Sequence, residues 1–175
     1  MNIHRISERN DQWYTDFLSF YTDSFPIYEQ RNEEQQIHAL RDDRYHLDCY
    51  IEDSRLLAFI AYWDFRTYCY IEHLAVHPHW RGRSIGKKVL LRFMNDYSPY
   101  VLLEIDPVID DISAKRFRFY QQLGFVENPY SHFHPAYDQH FEPHQLTVLS
   151  APDVISQDEY KQFQNDLEKI VMNKC

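Results

Sequence analysis

The sequence predicts an α/β fold built on a mixed, mostly antiparallel twisted sheet with flanking helices. Three strand-like runs follow one another between residues 45 and 76 with short turn-like breaks, which is typical of an antiparallel meander. A run with helical periodicity at 84–97 then separates the strand-like runs at 68–76 and 100–105. If these two strands share the sheet, a right-handed crossover makes them parallel neighbours.

The remaining elements follow from hydrophobic periodicity along the chain. Residues 2–6 alternate as a short strand, the apolar spacing at 11–25 predicts a helix that Pro26 ends, and the polar run at 29–43 predicts a second helix. The other predictions, in chain order, are strands 45–52, 56–65 and 68–76, helix 84–97, strand 100–105, helix 112–123 with Gly124 as its C′ cap, strands from Val126 onward and at 145–149, and helix 157–171. No repeat or linker divides the chain, so we expect one domain over residues 1–175.

Composition restricts the class of protein. The 175 residues carry 18 Lys and Arg against 27 Asp and Glu, a formal charge of −9 that argues against nucleic acid as a partner. No apolar run reaches the length of about 18 residues that a membrane span requires, and the first residues lack the apolar region of an export signal. Cys49, Cys69 and Cys175 are odd in number and far apart, which suggests neither a disulfide framework nor a zinc site. We expect a cytoplasmic protein without metal and without a membrane partner.

The segment 71–87 is predicted to bind an anion. It runs from a strand through a turn into a helix, and two of the three glycines in the chain, Gly82 and Gly86, lie in this turn. Such a turn exposes backbone N–H groups at a helix N-terminus, where the helix dipole favours negative charge. A pyrophosphate would fit there. The spacing of the glycines matches neither a Walker loop nor the dinucleotide-binding fingerprint.

Two motifs resemble signatures of the GNAT superfamily of acetyl-CoA-dependent N-acetyltransferases. The family's acetyl-CoA motif, [QR]-x-x-G-x-[GA], is matched by Arg81-x-x-Ser84-x-Gly86, in which Ser84 stands where the family usually has glycine. The preceding residues 74–78 resemble the family's strand end, L-x-V-x-P. Residues 119–125 resemble the second signature, a helix ending in [FL]-Y-x-x-x-G-F, and the whole similarity covers about residues 56–126.

This resemblance implies acetyl-CoA as co-substrate and a central parallel strand pair that splays at the cofactor site. Main-chain groups at the strand end would bind the pantetheine, backbone amides of the turn would hold the pyrophosphate, and N–H groups at the strand end would stabilise an oxyanion. Ser113 stands seven residues before Tyr120, where the family often has an Asn that contacts the cofactor. The implied cofactor-binding residues are Leu74, Ala75, Val76, Arg81, Gly82, Arg83, Ser84, Ile85, Gly86, Lys87 and Ser113.

The resemblance also implies candidates for acid and base. Tyr120 occupies the family position of the general acid. A phenol suits this role because it is protonated at neutral pH and can donate its proton to the leaving sulfur. Tyr120 could instead be one aromatic residue of a crowded core helix. For the base, Glu72 precedes the strand end and Glu104 lies on the adjacent strand, and either could be a solvated or ion-paired carboxylate instead. Strict alternation would place His73 on the opposite face from Glu72.

The expected acceptor is a small amine. Acidic residues near the presumed mouth, which are Glu72, Glu104, Asp106, Asp110 and Asp111, favour a cationic amine such as a polyamine, an aminoglycoside-like amine or a Lys-bearing peptide. These carboxylates could also face solvent or pair with Lys115 and Arg116, which would leave no preference. The sequence leaves two further questions open, namely whether the chain forms a homodimer and whether it is a non-catalytic acyl-CoA-binding or interaction module.

Two further segments carry weaker signals. Several histidines occur between residues 132 and 144, but their spacing fits no metal motif, and the region is rich in Pro and Tyr like a substrate-side loop. The segment Phe25-Pro26-x-x-Glu29-x-Arg31 lies between the first two helices. In the resembled fold this region often roofs the acceptor pocket, and the alternative is a simple helix break.

Overall fold

The structure is a computed structural model that describes residues 1–97 and 100–173. A 3₁₀ turn at Ile27–Glu29 precedes the second helix, and a π-helical turn at Leu167–Val171 continues the last one. The bounds of the strands and α-helices are β1 Asn2–Ile6, α1 Tyr14–Ser24, α2 Glu33–Leu40, β2 Tyr45–Glu52, β3 Arg55–Asp64, β4 Cys69–Val76, α3 Ile85–Asp96, β5 Val101–Ile105, α4 Asp111–Gln121, β6 Val126–Glu127, β7 His132–His134, β8 His144–Ala151 and α5 Gln157–Asp166.

The strands form a single mixed sheet in the order β1-β2-β3-β4-β5-β8-β6, with β7 paired to β8 beside this path. Every neighbouring pair is antiparallel except β4 and β5, which are parallel. The predicted fold class and its central parallel pair are therefore confirmed. Gly124 has φ +90°, and its N–H donates to the carbonyl of Gln121, as a residue that ends a helix does.

Each face of the sheet buries its own apolar cluster. On one face, Phe17 of α1 packs against Phe59 of β3, and Phe163 of α5 packs against Tyr70 of β4. On the other face, Val89, Leu90 and Phe93 of α3 pack against strand residues. Helices therefore cover both faces of the sheet. A ligand can reach the sheet at the ends of the central strands, which the helices leave uncovered.

The two parallel strands pair over only part of their length. Their register runs from Cys69 opposite Val101 to Ile71 opposite Leu103 and then stops, although β4 continues to Val76. The unpaired part of β4 remains hydrogen-bonded to β3 on its other side. A gap therefore opens between neighbouring strands in the middle of the sheet.

A β-bulge in β4 places Glu72 and His73 on the same face of the sheet. The pairing with β3 shifts at this point, because Ala61 lies opposite His73 and Tyr62 lies opposite Ile71, which leaves Glu72 without a partner of its own. Glu72 accepts a hydrogen bond from Trp63 Nε1, and the His73 ring packs against Tyr21. The expectation of opposite faces was wrong, because it assumed strict alternation and a bulge adds one residue to the strand.

The second helix is shorter than predicted. Pro26 and the 3₁₀ turn separate it from α1, and it begins only after Asn32, which forms a capping box with Gln35. Polar residues before Asn32 therefore belong to the connection between the helices. The region after Val126 also differs from the prediction, because it contains the separate short strand β7, which pairs with the first part of β8.

Cys49 and Cys69 are buried and unpaired, and Cys175 lies outside the described residues. Among residues 1–97 and 100–173, no helix is both long and apolar enough to cross a membrane.

A buried ion pair joins the connection between α1 and α2 to the central strand. Arg31 Nη2 lies 2.9 Å from Glu72 Oε1, and the two side chains are 5% and 0% exposed. Arg31 Nη2 also donates to the carbonyl oxygen of Val171 at 2.6 Å, so the same guanidinium holds the C-terminal π-helical turn. The chain segment before α2 is thereby attached to β4 and to the last helix.

We predict that Arg31→Ala lowers the free energy of unfolding by about 3–5 kcal/mol, because it leaves the Glu72 carboxylate buried without its cation. Urea unfolding measures the change. The matched control is Arg9→Ala, which removes an exposed pair with Glu33 and should change stability by at most about 1 kcal/mol. Equal, small effects for both variants would contradict the structural role of the Arg31–Glu72 pair.

Candidate functional site

A cavity of about 370 Å³ occupies the gap where β4 and β5 separate. The 3₁₀ turn and the end of α1 form its roof, α4 supplies Tyr120, and β7 and β8 supply His134 and His144. Its strand-derived walls include Glu72, Leu74, Ala75 and Val76 from β4, with Glu104 and Ile105 from β5. The cavity therefore collects residues from segments that lie far apart in the sequence.

A second cavity of about 480 Å³ lies at the N-terminus of α3. It shares Val76 and Arg81 with the first cavity, so the two meet at the end of β4. The residues of the turn and helix that line it are Arg81, Gly82, Ser84, Ile85, Gly86 and Lys87. A long ligand could therefore extend from the α3 turn into the gap between the strands.

The N-terminus of α3 is open toward the second cavity. Capping boxes close the N-termini of α2, α4 and α5, whereas no side chain caps α1 or α3. Ser84 at its N-cap has φ +59°, a left-handed conformation that suits glycine better than serine. The backbone N–H groups of the first turn are thus exposed at the positive end of the helix dipole, which fits a phosphate group.

Close packing leaves little space beside Gly86. A Cβ built at this position would lie 3.3 Å from Val76 Cγ2 and 3.5 Å from Phe119 Cζ, so the neighbouring side chains would have to yield. Gly82 has φ +75° and open space around it, so there the backbone conformation, not the packing, favours glycine.

The structure brings together all the predicted cofactor-binding residues except Arg83 and Ser113. Arg83 packs over the Trp80 ring, 4.9 Å from its centroid, and lines a neighbouring groove instead. Ser113 lies at the third position of α4, where its N–H donates to Asp110 Oδ1 and its hydroxyl accepts from the Asp110 N–H. The Ser113 side chain lines neither cavity, so the residue acts here as a helix cap.

Tyr120 lines the first cavity and is largely enclosed by aromatic rings. Phe119 and Phe125 lie 5.2 and 5.7 Å away between ring centroids. Burial raises the pKa of Tyr120 to about 12, so the phenol is protonated at neutral pH. Within the described part of the chain its hydroxyl has no hydrogen-bond partner, which leaves the proton available to a ligand in the cavity.

Glu72 and Glu104 both face the first cavity, and several donors hold each of them. Glu72 accepts hydrogen bonds from Trp63 Nε1 and Tyr137 OH, both at 2.8 Å, in addition to its ion pair with Arg31. Burial alone would raise the pKa of Glu72, but the Arg31 charge and these hydrogen bonds lower it overall. Glu72 is therefore a buried, ionised carboxylate.

Glu104 belongs to a network that the sequence did not reveal. Its carboxylate contacts His132 Nε2, accepts a hydrogen bond from Tyr70 OH at 2.5 Å and lies 3.8 Å from His134 Nε2. Burial would raise the pKa of Glu104, but the two histidines and the Tyr70 hydrogen bond lower it to about 2. Alternation along β7 places both histidines on one face, a pattern that could have marked them as a pair.

The acidic residues near the mouth are only partly gathered as expected. Asp106 lines the first cavity and forms an ion pair with Arg116 at 2.6 Å. Asp110 caps α4, and neither Asp110 nor Asp111 lines the cavity. Glu29 does line it, from the 3₁₀ turn, although sequence reasoning named no chemical role for this residue. The described residues contain no cluster of three or more His, Cys, Asp or Glu that could hold a metal ion.

An open, mostly antiparallel sheet with one parallel pair and flanking helices matches the GNAT fold. The family model described as "Acetyltransferase (GNAT) family" matches residues 10–125, and the chain belongs to this family.

Several known proteins are similar to this chain in sequence or in fold. The chain is 31% identical over 115 residues to YjbC of Bacillus subtilis (strain 168), which is named as an acetyltransferase, and the match covers 65% of this chain but only 56% of YjbC. A GNAT-family structure from Bacteroides thetaiotaomicron has a TM-score of 0.91 at 23% identity, with all of both chains covered. An aminoglycoside 6′-N-acetyltransferase solved with coenzyme A has a TM-score of 0.62 at 13% identity, covering 86% of this chain and 96% of its own.

Proposed function

We propose that this protein is an N-acetyltransferase that transfers the acetyl group of acetyl-CoA to a primary amine. The observation that carries the proposal is the junction of the two cavities at Val76 and Arg81. One cavity offers the uncapped α3 N-terminus to an anion, and the other offers Tyr120 and several carboxylates to a reacting group. Membership of the GNAT family and the coenzyme A complex of a structural relative support acetyl-CoA as the co-substrate.

In this proposal the turn before α3 holds the pyrophosphate through its backbone. The N–H groups of residues 85–87 face the phosphates, and Arg81 and Lys87 add positive charge. Arg81 Nε donates to the carbonyl oxygen of Val76 at 3.1 Å, which fixes the guanidinium at the junction of the cavities. The edge of β4 at residues 74–76, which lacks a partner strand on the β5 side, offers main-chain groups to the pantetheine and to the thioester oxygen.

Acetyl-CoA supplies an activated acyl group, and the protein has to manage the protons of its transfer. Tyr120 is proposed as the general acid that protonates the leaving sulfur, because its phenol is protonated and free to donate. Glu72 and Glu104 were the predicted bases, and that role remains a prediction. Their hydrogen-bond donors favour a different role, in which both ionised carboxylates position neighbouring groups.

We further propose a small cationic amine as the acceptor. The carboxylates of Glu29, Glu72, Glu104 and Asp106 line the first cavity. Arg31 and Arg116 pair with Glu72 and Asp106, and the His132 and His134 rings contact Glu104, so among the described residues Glu29 is the carboxylate without a close pairing group. A cavity lined by carboxylates attracts cations and raises their local concentration. A reducing compartment such as the cytoplasm suits the buried free thiols Cys49 and Cys69.

The alternative, a non-catalytic acyl-CoA-binding module, would require no acid in the cavity. The availability of the Tyr120 hydroxyl therefore favours an enzyme. Thiol release from acetyl-CoA with a panel of amines separates the two functions, because a binding module would bind coenzyme A without turnover on any amine.

We predict that Gly86→Glu abolishes coenzyme A binding while the protein stays folded, because it adds bulk against Val76 and negative charge beside the phosphates. Isothermal titration calorimetry measures the affinity, and circular dichroism checks the fold. The matched variant is Ser84→Gly, which relieves a left-handed serine and should bind coenzyme A as well or better. Unchanged binding by the folded Gly86→Glu variant would place the anion site elsewhere.

We predict that Tyr120→Phe lowers kcat by roughly 10²-fold or more, because it removes the general acid while keeping the ring. Coenzyme A affinity should change little, and stability should hardly change because the hydroxyl has no partner within the described residues. Tyr130→Phe is a control in which a hydroxyl bonded to the Ile155 carbonyl is lost away from the site. Full turnover in Tyr120→Phe would show that water protonates the thiolate.

We predict that cationic amines are the best acceptors and that their kcat/KM falls as salt is raised, because salt screens attraction to the carboxylates. Asp106→Asn should lower kcat/KM for a diamine more than for a neutral hydroxylamine-type acceptor. Asp111→Asn, at an exposed residue outside the cavity, should leave both values unchanged. Best activity with neutral or glutamate-like acceptors and no salt dependence would contradict the cationic preference.

A further inference from the structure

The carboxylates that line the first cavity differ in their hydrogen-bond partners. Glu72 and Glu104 each have several close donors, and Asp106 forms an ion pair with Arg116. Glu29 has no such partner among the described residues: His144 Nε2 lies 3.8 Å from its Oε1, and burial lowers the pKa of His144, which favours the neutral imidazole. Glu29 is therefore the carboxylate whose lone pairs are available to a ligand.

The backbone holds Glu29 in place while its side chain stays free. The carbonyl oxygen of Glu29 accepts a hydrogen bond from His73 Nε2 at 2.9 Å, which anchors the 3₁₀ turn to β4. The N–H of Glu29 donates to the carbonyl of Pro26, which closes that turn. The side chain is 26% exposed and faces the cavity beneath it. Because the turn is fixed and the carboxylate group is not held by a hydrogen bond within the described residues, the Glu29 side chain can contact a ligand in the cavity without a change in the backbone.

Glu29 and Tyr120 face the same cavity from different walls. Glu29 comes from the roof, and Tyr120 comes from α4, one helical turn after Arg116. The charged and titratable groups around Glu29 are Tyr28 on its own turn, His73 from β4, Glu104 and Asp106 from β5, Arg116 from α4 and His144 from β8. An amine between the roof and α4 would lie between a proton acceptor and a proton donor.

We propose that Glu29 is the general base that deprotonates the acceptor ammonium, an inference that rests on the acetyl transfer proposed above. Glu29 takes one proton from R–NH₃⁺, and the amine nitrogen then attacks the thioester carbonyl carbon. As the C–S bond breaks, Tyr120 gives its proton to sulfur, and the nitrogen loses a second proton that restores the Tyr120 phenol through solvent. Glu29 releases its proton to solvent, so the balance is one amide, one thiol and one proton.

The local electrostatics suit this role better at Glu29 than at the other carboxylates. Burial and the nearby Asp106 charge raise the pKa of Glu29 to about 7. The positive charge of Arg116 lowers the pKa but offsets only part of this rise. A base with a pKa near the working pH combines a useful ionised fraction with real affinity for the proton. Glu104, with a pKa of about 2, is a much weaker proton acceptor.

The test compares pH profiles of kcat/KM for the wild type, Glu29→Gln and Glu142→Gln. Glu142 is exposed on the loop before β8 and lies outside the cavity lining, so its variant should behave like the wild type. With a strongly basic amine at neutral pH, we expect Glu29→Gln to lose roughly 10²-fold or more, together with the wild type's acidic limb near pH 7. Coenzyme A affinity should not change.

A weakly basic amine distinguishes loss of the base from loss of the site. An acceptor whose conjugate acid has a pKa below about 5 is already neutral at the assay pH, so Glu29→Gln should acetylate it at close to the wild-type rate. An equal loss with both amines would mean that Glu29 serves binding or structure, and that result would overturn the proposal.

Thermal unfolding gives a readout that needs no turnover. Because the folded-state pKa of Glu29 lies above its unfolded value, the folded state binds more protons between these values, and this group's contribution to stability falls as pH rises through that window. Glu29→Gln should therefore melt above the wild type at about pH 8 and close to it at about pH 5, whereas Glu142→Gln should match the wild type at both.

The outcomes separate this inference from the proposed function. If the wild type acetylates amines and Glu29→Gln keeps both its rate and its acidic limb, the base is another group and only this inference fails. If the wild type binds coenzyme A but acetylates no amine on the panel, the proposed function fails, and the role of Glu29 in it fails as well.

Discussion

The structure depends on one interruption in its sheet, because β4 and β5 stop pairing after Ile71 and Leu103 while both strands continue. A gap between neighbouring strands exposes backbone N–H and C=O groups that normally satisfy one another. Those groups must find solvent or a ligand, and the side chains on either side of the gap must fill or line it. The first cavity occupies this gap, and it shares Val76 and Arg81 with the cavity at the N-terminus of α3.

Buried polar networks on the two strands stabilise the walls of this gap. On the β4 side, Arg31 and Tyr137 hold Glu72, and on the β5 side, Tyr70 and His132 hold Glu104. Such groups are costly to bury unless they are fully paired, and when paired they specify one arrangement of the surrounding segments. The roof, the β7–β8 pair and the C-terminal helix are therefore positioned by polar contacts as well as by apolar packing.

Sequence reasoning succeeded where the signal was local. The alternation of helical and extended periodicity predicted the mixed sheet, and the run from the strand through Gly82 and Gly86 into α3 predicted a turn that the structure places beside a cavity. It failed where partners are distant, because nothing near Arg31 in the sequence indicates Glu72, and nothing near His132 indicates Glu104.

The bulge at Glu72 and His73 has a consequence for how this segment can change in evolution. Successive side chains of a strand point to alternate faces of the sheet. The extra residue of the bulge therefore moves every later residue of β4 to the face opposite the one that strict alternation would give it. Deleting one residue here would move the side chains of Leu74, Ala75 and Val76 to the opposite faces of the sheet. Each of these residues would then pack in the layer on the other side of the sheet. Substitution is therefore the accessible route of variation in this strand, whereas a change in its length would exchange its two faces.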